Sequence, residues 1–204
     1  MPRKKTILRR KQLLVEGRDA EAFFHPFLEH LGLDNIQIQD FGGISELASF
    51  LKQFVLNPQY RQLPVTAIGI MRDAEQNAND AFRSIVSALE KSSLPKPVEP
   101  ITYVGQEPKV GVYLLPDNEH SGMIETLLLK AVCDTPVFEC VDRYIDCVTQ
   151  QTDVVPSPLD KARFLTYLAS KPDIKPLTGF AARAGYLNFN SPVYEPLKEF
   201  LRSL

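Results

Sequence analysis

The segment Val65-Thr-Ala-Ile-Gly-Ile-Met-Arg-Asp-Ala-Glu75 constrains the fold of this chain more than any other. A mostly apolar run ends abruptly at two acids. A strand with one wet face alternates polar and apolar residues. A continuous apolar run belongs instead to a strand covered on both faces, as in a parallel sheet with helices above and below it. Lys11-Gln-Leu-Leu-Val-Glu-Gly17 has the same form on a smaller scale, and Val110-Gly-Val-Tyr-Leu-Leu115 is a third such run, stopped by Pro116-Asp117-Asn118. Parallel neighbours need long crossover connections, usually helical, so the strands ending at Val15 and near Met71 are predicted to be neighbours in one sheet.

The intervening stretches carry the helical period. After the turn Gly17-Arg18, Asp19 is placed as an N-cap for a helix from Ala20 to Leu31, with Phe23, Phe24, Phe27, Leu28 and Leu31 on one face. Pro26 predicts a kink or a later start. Ile36 to Phe41 alternates as a half-exposed strand does. Ser45 is predicted to cap a helix from Glu46 to Leu56, and Pro58 to Pro64 reads as a loop. Helices are predicted over Ala78–Lys91 and Met123–Val132, with the proline-rich Ser92 to Pro108 irregular between them. From Pro136 onward the pattern is helical, over Val137–Thr149, Leu159–Ala169 and Val193–Leu204, with Gly179 to Asn190 irregular. The expected organisation is an α/β domain over 1–135 and a helical extension over 136–204 packed on it.

With 204 residues, 44% hydrophobic and 24% charged, the chain suits an ordinary globular domain. Its net charge of −2 carries no global basic signature, so a nucleic-acid partner would need a local basic patch or a metal. Cys133, Cys140 and Cys147 are seven residues apart, which is not the close pairing of a zinc site. They read as buried small hydrophobes in a reducing compartment. The basic start Met1-Pro-Arg-Lys-Lys is not followed by a signal-peptide apolar stretch, and no run approaches the roughly 18 apolar residues of a membrane span. A cytoplasmic location with no membrane partner is the expectation.

Three strand ends in succession carry acids: Glu16; then Asp73 and Glu75; then Asp117, Glu119 and Glu125. In extended chain the spacing of Asp73 and Glu75 puts both side chains on one side. Clustered carboxylates repel, and a hard divalent cation such as Mg²⁺ is the usual compensation. Each acid also has a plain reading: Glu16 as a strand-end charge, Asp73 as a turn cap, Glu125 as a first-turn helix carboxylate. Lys161 and Arg163, at the start of the Leu159 helix, are the best local cations for a phosphate, although a solvated helix face is the better reading of them on sequence grounds. His25 and His30 read as core or surface residues, and His120 as a remote acid–base candidate.

Leu13-Leu-Val-Glu-Gly-Arg-Asp19 resembles the first Toprim motif, a strand ending in glutamate and glycine. Ile68-Gly-Ile-Met-Arg-Asp-Ala-Glu75 resembles the second, usually Asp-x-Asp. The likeness extends to short stand-alone prokaryotic Toprim-related proteins, which share segments like Leu115-Pro-Asp-Asn118, Asp160-Lys-Ala-Arg163 and Gly185-Tyr-Leu-Asn-Phe189, and to nucleases of the OLD type. The resemblance implies a Toprim-like central, mainly parallel sheet flanked by helices, with a helical C-terminal extension. It implies Mg²⁺ or Mn²⁺ at Asp73, Glu75, Glu125 and Asp19, Glu16 as general base or acid, and Lys161 stabilising charge. DNA or RNA is the implied partner of a metal-dependent nuclease. A separate ATPase or nuclease protein is the implied partner of a non-catalytic module. Glu75 departs from the usual aspartate, and its extra methylene puts tight two-metal geometry in doubt.

Overall fold

The computed structural model describes residues 6–173, 175 and 177–204; the basic start Met1 to Lys5 lies outside the described residues. The strands are β1 (Lys11–Val15), β2 (Ile36–Asp40), β3 (Ala67–Asp73) and β4 (Lys109–Leu115). They form one parallel sheet in the order β2-β1-β3-β4, with Val15 opposite Met71 and Met71 opposite Tyr113. The predicted pairing of the Val15 and Met71 segments therefore holds, and the fold is α/β with a Toprim-like parallel sheet.

Side-chain alternation along these strands divides the interior in two. Leu13, Val15, Ala67, Met71, Tyr113 and Leu115 point to one face. There they meet α1 (Gly17–His30), α5 (Ile124–Lys130), α6 (Pro136–Thr152), α7 (Leu159–Ala169), α8 (Thr178–Arg183) and α9 (Glu195–Arg202). Leu14, Ile68, Ile70, Val110, Val112 and Leu114 point to the other, against α2 (Leu47–Leu56) and α4 (Ala78–Lys91). Both faces are dry, which is why the strands read as continuous apolar runs. The residues after 136 supply much of the first interior, including Phe164, Tyr167, Tyr194, Phe200 and the buried Leu204.

Several local expectations are corrected. Asp19 is not an N-cap: α1 starts at Gly17, directly after the strand, and Asp19 lies in its first turn. Pro26 does not delay α1 but lies inside it. Its ring deprives the Ala22 carbonyl of its intrahelical donor, and α8 packs against that turn. A Cβ on Gly179 would fall 2.6 Å from Ala22 Cβ and 2.7 Å from Ala22 O. Gly179→Ala is expected to cost about 1–3 kcal/mol through overpacking, readable as a lower urea midpoint at an unchanged m-value. Ser45 does not cap α2, which follows a short 3-10 turn at Ile44–Glu46. The Pro58 loop is a helix, α3 (Pro58–Gln62), because Asn57 accepts a hydrogen bond from the Gln59 N–H and Pro58 sits at its first position. Gly179 to Asn190 is partly helical, as the end of α8. All three cysteines are exposed. Cys140 and Cys147 lie two turns apart on α6 and Cys133 precedes it, while Val141 and Ile145 are the residues α6 buries.

Candidate functional site

The acids collect where β1 and β3 end. Gly17 turns the chain out of the sheet at φ +82, a backbone that suits glycine. Its N–H and that of Gly42 both donate to Asp40 Oδ1, at 2.9 and 2.7 Å, which ties the end of β1 to the end of β2. Sequence reasoning passed over Asp40, because a strand-end acid before two glycines has no pattern of its own.

Asp73, the last residue of β3, lies on the α5 side, where its Oδ1 accepts from the Ile124 N–H at 2.9 Å. Burial pushes its carboxyl far up, and the charges of Glu16, Glu125 and Glu75 push it further, to about 8 despite the Ile124 hydrogen bond. Glu16 is also raised. Burial is the main cause and Glu75 adds to it, while Arg72 and the backbone N–H groups of Asp73 and Ile44 oppose it. Glu125, in the first turn of α5, is only 4% exposed. Lys161 Nζ stands 3.4 Å from Glu125 Oε1 and 3.8 Å from Asp19 Oδ2, so one ammonium from α7 links acids on α5 and α1. Thr126 beside Glu125 donates to Asp160 Oδ2 at 2.6 Å, holding α7 in place.

Not every expected acid joins them. Glu75 is exposed at φ +55, and its backbone pairs with Gly122, so the extended alternation stops at Asp73 and the two side chains do not share a strand face. Asp117 turns to Lys130, 2.6 Å away, and to His120; partial burial pushes it up, but these bonds prevail and hold it at about 2. Glu119 and His120 are exposed in that loop, His25 and His30 are exposed on α1, and Arg163 pairs with Asp142 on α6 at 3.0 Å.

Arg72 was the residue missed. It is 4% exposed, with Nε 3.3 Å from Glu16 Oε2 and Nη1 3.2 Å from the Ala81 carbonyl oxygen on α4. Inside an apolar strand its only signal was being a charge where the pattern demands none. The ion pair is close but not aligned as a hydrogen bond, so Glu16 Oε2 and Arg72 Nε are both buried without a hydrogen-bond partner.

A family described as "Protein of unknown function (DUF3226)" matches residues 10–204. The chain belongs to that family. No curated protein sequence matches it. Among solved structures, the chain is similar to the C-terminal region of the OLD protein of Burkholderia pseudomallei, with a TM-score of 0.54 and 15% identity over 97% of this chain and 98% of that one. It is similar also to the C-terminal region of the OLD protein of Xanthomonas campestris pv. campestris, with a TM-score of 0.52 and 16% identity over 97% of each. At such identity the likeness is one of fold, and it covers this family member from sheet to terminal helix.

The Toprim resemblance implies a divalent cation, and the acids nearest Asp73 are of the right kind, oxygen ligands only around a part-buried carboxyl pushed up to about 8. Among the described residues, however, no group of three or more His, Cys, Asp or Glu side chains is already drawn together as a metal cage.

Proposed function

We propose that this protein is a divalent-cation-dependent phosphodiesterase acting on DNA or RNA, with Mg²⁺ or Mn²⁺ held at the carboxyl edge of the sheet. The observation that carries the reading is the part-buried Asp73, raised by the charges of three glutamates, at the strand ends where α/β folds bind ligands. Asp73 would be the principal ligand, with Glu75 and Glu125 beside it and Asp19 at the outer margin. A bound divalent cation supplies polarisation of a phosphoryl oxygen and a lowered pKa for an attacking water. Glu16, its carboxyl raised by burial, would take or return the proton. Lys161 would offset phosphate charge from the α7 side, exchanging part of its contact with Glu125 for the substrate.

The closeness of cations favours a second reading, a non-catalytic metal- and partner-binding module serving a separate ATPase or nuclease. Glu16 already has Arg72 beside it and Glu125 has Lys161. Calorimetric titration with Mg²⁺ and Mn²⁺, followed by cleavage assays on single- and double-stranded DNA and RNA, separates the two. Metal-dependent cleavage that disappears in Asp73→Asn is the expected result. Metal binding without cleavage of any of the four substrates selects the binding module. Absence of both overturns the metal site itself.

A further inference from the structure

We propose that Arg72 is a positioning residue that holds Glu16 out of the cation's ligand set and so reserves it for proton transfer. The inference rests on the proposed reading of the carboxylate edge. Its basis is a division of that edge by strand alternation. Ile68 and Ile70 face the α2/α4 side of the sheet, and Arg72, two residues on, reaches Ala81 on α4. Ala67 and Met71 face the opposite side, and Asp73, two residues on, meets the first N–H of α5. Glu16 follows the same parity on β1, two residues after Leu14, and its carboxylate lies 3.3 Å from the guanidinium. Asp73 and Glu125 thus stand toward one face and Glu16 toward the other.

Arg72 is placed to keep it there. Its guanidinium is always charged and is 4% exposed, so it needs an anion close by. The bond to the Ala81 carbonyl oxygen fixes it from the far side. A glutamate freed from this partner would be a carboxylate beside a cation site, and a flexible one; the orphaned Oε2 would be its donor atom. With Arg72 in place, moving Glu16 to a cation on the Asp73 side would leave a buried guanidinium unpaired, which is costly.

The test is a double-mutant cycle on Mn²⁺ affinity, measured by calorimetry or by Mn²⁺ relaxation of water protons, with no need of turnover. Arg72→Gln, whose amide can still donate to the Ala81 oxygen, is expected to tighten Mn²⁺ binding by about tenfold as the cation is removed and Glu16 is released. The neutral pair variant Arg72→Gln/Glu16→Gln is expected to return to within about threefold of the original affinity. A merely structural arginine would weaken binding on removal, not strengthen it. The proposal is overturned if Arg72→Gln weakens binding or leaves it unchanged, or if the gain persists in the pair variant, since Glu16 would then not be its source. It is equally overturned if the pair variant binds tenfold or more weakly than the original, since Glu16 would then be a ligand already. The pair variant carries no unpaired buried charge, so it still tests whether Glu16 is already a ligand if Arg72→Gln does not fold. Absence of Mn²⁺ binding in the unsubstituted protein and in both variants removes the metal site, and this inference with it.

Discussion

Asp73→Asn is expected to abolish Mn²⁺ binding and, in the presence of chelator, to make the protein more stable at neutral pH. Both effects come from one carboxyl. Folded, Asp73 titrates at about 8; unfolded, it returns to its ordinary 3.8. The folded state therefore holds the proton more tightly. The stability this contributes is fully present below about pH 4 and is lost as pH rises through about 8, by up to about 1.4 kcal/mol per pH unit. Asparagine is neutral at every pH and keeps an oxygen for the Ile124 N–H, so this slope should flatten and stability at pH 7.5 should rise by about 1–3 kcal/mol. Thermal melts from pH 5 to 9, with and without Mn²⁺, measure both. An unchanged slope would remove the burial argument, and unchanged affinity would remove Asp73 from the site.

Glu16→Gln should change stability little. It leaves Arg72 buried beside a neutral amide, but burial already raises the Glu16 carboxyl in spite of Arg72, so the folded protein loses little when that charge is removed. If the protein cleaves phosphodiesters, turnover should fall by roughly 10²–10⁴-fold, the usual loss for a general acid or base. Mn²⁺ affinity should fall by less than about tenfold, the residue of an uncompensated guanidinium nearby. Both carboxyls are raised by burial, but only Glu16 has a guanidinium beside it to oppose the shift. A Glu16→Gln protein as active as the original would remove Glu16 from the chemistry.

The sheet was legible because its signal is one-dimensional. Apolar runs that stop at acids, separated by helical periods, specify strands buried on both faces, and the order of elements then limits the pairing. The ends of elements were less legible. Ser45 and Asp19 have the chemistry of caps, yet the chain enters α1 straight from β1 and α2 from a 3-10 turn, so neither residue meets an orphan N–H. Asn57 does cap, but its signal was hidden by Pro58 directly after it, which reads as the start of a loop. At the site, the acids of β1 and β3 converge because register puts Val15 opposite Met71, which sequence could anticipate. It could not anticipate that Glu75 leaves the strand in a left-handed conformation, or that Arg72 lies buried against Glu16, because both depend on what Gly122 and α4 bring from elsewhere in the chain.

The reach of Lys161 and Asp160 ties the charge of the strand edge to the docking of one helix. α7 arrives from the far end of the sequence and contacts Glu125, Asp19 and Thr126 within two consecutive residues. Any excursion in which α7 lifts away takes its ammonium from Glu125 and its carboxylate from Thr126 in a single movement. Helices open on their own free-energy scale, well below global unfolding. Amide exchange along α7 should therefore slow when a phosphate-bearing ligand occupies the edge and quicken when a cation alone does. The helix then acts as a counterweight, its resting position set by the balance of charge it faces.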